Sequence, residues 1–170
     1  METGVFERVV QEHKDRVHSF ATRMLQDPTE AQDVAQEALV RLWRNRKRVE
    51  REGARPWLMR TVHNLCIDRI RKRKVRSEIA DADPAIELQT DCNPDPEQLI
   101  GSAELGQRIE QAVRSLSEQD RAVVLLREVH EMPYDEIAAT LNLPLGTLKA
   151  RLHRARERLR AKLVRVGVTP

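Results

Sequence analysis

Apolar residues recur three and four positions apart through most of the chain, and no stretch alternates apolar and polar residues between hairpin turns. The pattern predicts an all-α protein. A first stripe, Phe6, Val9, Val10, Val17, Phe20, Ala21, Met24 and Leu25, describes a helix ending near Gln26. Asp27 then has the features of an N-cap: Pro28 follows at the first helical position and Glu30 stands three residues on, a combination that satisfies free backbone N–H groups. The second helix places Ala31, Val34, Ala35, Ala38, Leu39, Leu42 and Trp43 on its apolar side, leaving Asp33, Gln36, Glu37 and Arg41 outward or on its shoulders. Residues 45–55 hold Gly53 and no apolar stripe, so they read as a basic loop. Pro56 opens a third helix, with Trp57, Leu58, Val62, Leu65, Cys66 and Ile70 inward, and the run Arg71 to Lys74 is expected to end it in solvent or on a polyanion.

Residues 77–96 contain three prolines, six acidic residues and no base, the composition of a flexible linker. Two small helical domains follow from this, 1–76 and 97–170. The second begins near Glu97 with Leu99, Ile100, Ala103, Ile109, Ala112, Val113 and Leu116 on one face. Ser117 and Asp120 form a weaker capping box for a strongly apolar helix from Glu118 to about His130. A short helix, Tyr134 to Leu141, is broken at Asn142-Leu143-Pro144, and a last one runs from about Leu145 to beyond Leu163.

Charge sharpens this division. The net charge of +3 conceals 14 basic against 3 acidic residues over 41–76, and 8 against 1 over 145–170, with 77–107 wholly acidic. Two basic blocks, each in its own helical unit, suit two contacts with phosphates; the competing reading is a pair of solvated helix faces. The longest apolar run, Ala122 to Leu126, is far below the roughly 20 residues of a membrane span, and the charged N-terminus does not read as a signal peptide. A cytoplasmic protein without membrane insertion is expected. Cys66 and Cys92 fit free thiols in a reducing compartment.

The most specific local signal is YDEIAATLNLPLGTLKARLHRARERLR: a short helix, a tight turn and a longer basic helix, the arithmetic of a helix-turn-helix. Ala138 permits close approach, Asn142 supplies the turn, and Leu148 and Leu152 pin the second helix. Thr147, Lys149, Ala150, His153 and Arg154 are left projecting, where Lys and Arg can donate to guanine acceptors in a major groove. Two amphipathic helices of a bundle would share much of this pattern. In the third helix Asn64, Asp68 and Arg71 share a face, a polar stripe able to meet the bases and backbone of a single strand. Trp57 fits either a core anchor or a stacking platform, the former more often. Catalysis finds little support. His13 and His18 cannot share a helix face, His63 and Cys66 lack further zinc ligands, and no glycine-rich phosphate loop or nucleophile motif occurs. No catalytic residue, metal or cofactor is expected.

Three segments, PTEAQDVAQEALVRLW, PWLMRTVHNLCIDRIRKRK and LSEQDRAVVLLREVHEMPYDEIAATLNLPLGTLKARLHRARERLR, resemble in order and spacing a bacterial sigma-70 family sigma factor of the extracytoplasmic-function, group-four type. The resemblance implies a non-enzymatic promoter-specificity subunit with one domain for the −10 element and another for the −35 element. It places Asp33, Gln36, Glu37 and Trp43 against the β′ clamp helices of core RNA polymerase, with the β flap a further contact. Asn64, Asp68, Arg69 and Arg71 are implied at the −10 strand; Arg127, Thr147, Lys149, Ala150, His153 and Arg154 at the −35 duplex. Promoter DNA and an anti-sigma protein are the other implied partners, and the acidic linker would mimic nucleic acid in the polymerase channel. Two departures stand out: residues 49–55 hold none of the aromatic residues often found there, and Pro133 replaces the usual Ser or Thr. The rival class is a dimeric helix-turn-helix regulator binding operator DNA alone, which needs a ligand pocket or dimer seam in its first domain. An RNA-processing enzyme would need clustered acidic metal ligands.

Overall fold

A computed structural model of the chain describes residues 1–80, 102–165 and 167. Every regular element among them is helical. Three helices form the first unit: α1 (Thr3–Leu25), α2 (Pro28–Asn45) and α3 (Ala54–Ala80). The expected caps define their ends. Gln26 closes α1 in the left-handed conformation, φ 59°, with its N–H on the carbonyl of Thr22, and Asp27 Oδ1 accepts the Glu30 N–H at 3.0 Å to start α2. Val9, Val17, Phe20 and Met24 of α1 meet Val34, Ala38 and Leu42 of α2 and Leu58, Val62 and Cys66 of α3 in an apolar interior. Trp57 packs against this core, half-buried, as an anchor.

Two boundaries differ from the sequence reading. Helix α3 starts at Ala54, two residues ahead of Pro56, which sits in the first turn where its missing N–H has no intrahelical partner to lose. It also continues past the basic run to Ala80 instead of ending there. No Pro or Gly interrupts residues 57–80, and Arg73 is fixed to the first unit by Glu30 Oε2 at 2.5 Å and the Leu25 carbonyl at 3.1 Å, so the basic turn gains partners while remaining helical. Residues 77–80 of the expected linker are thus helical. Its remainder, with Leu99 and Ile100, lies outside the described residues.

The second unit comprises α4 (Ser102–Arg114), α5 (Glu118–Val124), α6 (Tyr134–Leu141) and α7 (Leu145–Arg165). Ser117 Oγ accepts the Asp120 N–H at 3.2 Å, as the capping pattern predicts. The expected helix from Glu118 to His130 is split. After Val124 the backbone widens into a π turn, Leu125–Val129, ending with the His130 N–H on the Leu125 carbonyl at 3.0 Å. Ala122, Val123, Leu125, Leu126, Ile137, Leu148, Leu152 and Ala155 form its core.

The two units pack on each other, α3 against α6, and α1 against α5 and the π turn. Arg121 is the central fastener. It is buried, and its guanidinium donates to the Met24 carbonyl at 2.8 Å, the Leu116 carbonyl at 3.0 Å and the Arg114 carbonyl. Met24 lies in the last turn of α1, where carbonyls lack intrahelical donors, so a guanidinium from α5 supplies what the helix cannot. Nearby the Phe20 ring of the first unit lies 5.8 Å from the His130 ring of the second.

Candidate nucleic-acid interface

The helix-turn-helix forms as its sequence suggests. Asn142 adopts φ 52°, ψ 50°, and its N–H together with that of Leu143 closes the end of α6 on the Ala138 and Ala139 carbonyls. Leu148, Leu152 and Ala155 are buried, which turns the opposite side of α7 to solvent. Thr147, Lys149, Ala150, His153 and Arg154 are all exposed there.

The cations of α7 divide into two sets. Arg151 bonds Gln119 Oε1 at 2.5 Å, Arg156 pairs with Glu128 at 2.6 Å, Arg158 pairs with Asp120, and Lys162 reaches the Ser115 carbonyl at 3.1 Å. These hold α7 onto its own unit. Lys149, Arg154, Arg160 and Arg165 have no ion pair or hydrogen-bond partner among the described residues. The charges left for an external polyanion therefore fall in the N-terminal half of α7, at Lys149 and Arg154, and near its C-terminal end, at Arg160 and Arg165. Arg127 is held differently from the other −35 candidates. It is half-buried, stacked 4.6 Å from the Tyr134 ring centre, with Nη1 on the Met132 carbonyl at 2.9 Å, and so buttresses the start of α6.

On α3, Asn64, Asp68 and Arg71 are exposed and share one face. Arg60, one turn ahead of Asn64 at the same four-residue spacing that separates Asn64 from Asp68, shares it too. Arg69 points elsewhere. Half-buried, it lines a groove between α2 and α3 with Asp33, Gln36, Glu37, Val40, Leu65, Asp68 and Lys72. The groove thus gathers three of the four polymerase-docking candidates. The Glu37 carboxylate accepts from Arg41 Nε at 2.8 Å, which holds it below the usual carboxyl range. Trp43 lies two turns beyond Gln36, outside the groove, edge-on to Phe6 at 4.8 Å and covered by the Arg46 guanidinium at 3.8 Å. The loop before α3 is anchored by buried Val49.

Three of the five histidines, His13, His63 and His130, are buried or half-buried, while His18 and His153 are exposed. Burial holds His13 and His63 below their ordinary pKa, and burial, reinforced by Arg16, Arg23 and Arg55, pushes His130 down to about 4. Burial likewise pushes the Cys66 thiol up to about 12, with Glu30 adding to it, so this cysteine is an inert core residue. Among the described residues no three His, Cys, Asp or Glu side chains form a set able to hold a metal ion, and no helix is long and apolar enough to cross a membrane.

Two family models match the chain in order: sigma-70 region 2 over residues 9–76 and sigma-70 region 4 over residues 106–159. Similar proteins include the ECF RNA polymerase sigma factor SigW of Bacillus subtilis, 36% identical over 166 residues covering 93% of this chain and 88% of SigW. SigE of Mycolicibacterium smegmatis is 34% identical over 161 residues; the match takes in 94% of this chain but 62% of that longer protein. Among solved structures, the sigma factor RpoE bound to the anti-sigma factor NepR from Bartonella quintana has the same fold, with a TM-score of 0.73 and 24% identity over 93% of this chain and 96% of RpoE. The two matched regions bracket α1–α3 and α4–α7, favouring a polymerase subunit over a stand-alone operator reader. The chain belongs to the extracytoplasmic-function sigma factors of the sigma-70 family, which direct RNA polymerase to transcribe from promoters.

Proposed function

We propose that the unit of residues 1–76 docks on core RNA polymerase and takes the −10 strand, that the unit of 97–170 reads the −35 element, and that 77–96 joins them through the polymerase channel. The sorting of charge along α7 carries this reading: cations that would be redundant for DNA are paired internally, while Lys149, His153 and Arg154 stand together and exposed. With Thr147 and Ala150 they present donors and a small apolar surface to base edges in a major groove. Arg127 acts on the −35 duplex through its hold on Tyr134 and Met132. On α3, Asn64, Asp68 and Arg71 face the displaced strand, and Arg69 joins Asp33, Gln36 and Glu37 in the groove that receives the β′ clamp helices. Trp43 extends that docking surface, and the β flap meets the second unit. The chain acts by binding alone, in the cytoplasm, without cofactor or catalytic centre. An anti-sigma protein completes the set of partners, a reading supported by two structural neighbours, RpoE bound to NepR and CnrH bound to CnrY.

Run-off transcription with bacterial core polymerase on a promoter library tests the assignment. Lys149→Ala or Arg154→Ala is expected to weaken initiation that depends on the −35 element by about 1–3 kcal/mol per base contact, with core binding unchanged. Equal activity of variant and parent on promoters with intact and scrambled −35 elements would remove these residues from DNA reading.

A further inference from the structure

The tied cations of α7 do not share one side of the helix. Arg151, Arg158 and Lys162 lie on the edge turned to α5 and the end of α4, where Gln119, Asp120 and the Ser115 carbonyl receive them. Arg156 is the exception. Lys149, His153, Arg156 and Arg160 follow one another at steps of four, three and four residues, which sets them in a single line along the exposed side. Lys149 and Arg160, at the two ends of that line, have no partner among the described residues, so the line is cationic at its ends and neutralised at Arg156.

The neutralising group is Glu128 of the π turn. Its Oε1 accepts from Arg156 Nε at 2.9 Å and Nη2 at 2.6 Å, and the Glu128 and Arg156 side chains remain 44% and 49% exposed. Ion pairs this open to water contribute little to stability, and the interior of the unit is built instead from Leu125, Leu126, Leu148, Leu152 and Ala155. What the pair changes is the field outside: it cancels one positive charge on the side of α7 that meets a polyanion. A phosphate contact adds affinity for every sequence alike and releases about one counterion. Glu128 therefore stands where it opposes the kind of contact that carries no sequence information.

We propose that Glu128 sets the balance between base reading and phosphate binding in the second unit: by holding Arg156 it withholds a phosphate contact from the line of Lys149, His153 and Arg160, and so keeps down affinity for duplex DNA of any sequence. The inference rests on the assignment of α7 to the −35 duplex. It adds to that surface a residue that acts through Arg156 without touching DNA.

Fluorescence anisotropy of the full chain on mixed-sequence duplex DNA of about 30 base pairs, repeated over a series of salt concentrations, tests this. Glu128→Gln keeps an acceptor for Arg156 and removes the charge. It is expected to tighten binding about two- to fivefold at low salt, and to steepen the fall of log K with log salt by about one. Arg156→Ala alone should change neither quantity, and in that background Glu128→Gln should have no effect. An unchanged slope for Glu128→Gln, tightening that persists without Arg156, or no measurable binding by any form overturns the proposal. So does a slope flattened by about one in Arg156→Ala alone, since Arg156 would then already lie on DNA. A lowered melting temperature for Glu128→Gln with the slope unchanged would make the pair a structural brace only. Lys149→Ala and Arg154→Ala separate the two levels. If they flatten the slope while Glu128→Gln leaves it unchanged, the withheld contact fails and the assignment of α7 stands; if they leave binding unchanged, the assignment itself fails.

Discussion

The two units differ in what they bury. Among the described residues of the first, His13 is the one buried polar side chain, and Phe20, Leu42, Leu58 and Val62 make the interior; the second buries Asp120, Arg121, His130 and Thr140. Two of these four lead out of their own unit. Arg121 holds the Met24 carbonyl, and His130 lies against Phe20. An apolar interior is complete within its own helices, whereas a buried guanidinium or imidazole depends on whatever satisfies or covers it. The first unit therefore supplies part of the second unit's interior.

The strongest way to break this asymmetry is acid. His130 is held at about 4 against an ordinary 6.5, so its neutral form is what the folded chain accommodates. The sign follows: stability is complete above pH 6.5 and declines as pH falls to about 4, because the unfolded chain takes up the proton first. His13 and His63, also held low, act in the same direction. Protonation places a cation beside Arg16, Arg23 and Arg55, all of the first unit, and the loss amounts to about 3 kcal/mol across that window. Denaturant titrations at a series of pH values should show a shallower decline for His130→Phe than for the parent; identical profiles would place the acid sensitivity elsewhere.

A somewhat smaller effect sharpens the comparison. Arg121→Met keeps an apolar stem but leaves the Met24, Leu116 and Arg114 carbonyls without their donor, at a cost of about 2 kcal/mol. Hydrogen exchange should locate the loss in α5, the π turn and the end of α1, with Phe20, Leu58 and Val62 still protected. Uniform loss over α2 and α3 would contradict a self-sufficient first unit. The smallest effect belongs to the surface: Glu110→Ala, which removes an exposed pair with Arg114 at 2.8 Å, should change stability by less than about 0.5 kcal/mol in the same titrations.

What was legible in the sequence is what neighbouring residues decide. Asp27 with Glu30, Ser117 with Asp120, and Asn142 between two short apolar patterns each declare a local hydrogen bond, and each bond forms. The exposure of Lys149, His153 and Arg154 was likewise readable, since Leu148 and Leu152 fix the rotation of α7. Long-range partners were not readable. Helix α3 outlasts its basic turn because Arg73 finds Glu30 and Leu25, residues more than forty positions away. Arg127 looks like any surface arginine until Tyr134 and Met132 fold back on it, and nothing near Arg121 in sequence announces Met24. The fold class and its motifs therefore emerged from local pattern, and the joint between the units emerged only with the structure.

The π turn at Leu125–Val129 has a consequence for tolerated chain length. Successive residues of an α-helix point about 100° apart, so a segment as continuously buried as Ala122 to Leu126 would face every direction at once, and the widened turn absorbs one residue of that excess. Because the widened turn holds the extra residue without passing its rotation on, deleting a single residue within it would restore ordinary winding and leave α6 and α7 near their bearing on α3, whereas the same deletion in an ordinary α turn would swing everything downstream by about 100°. In this stretch the number of residues is constrained less tightly than the identity of Leu125 and Leu126, which are buried in the core.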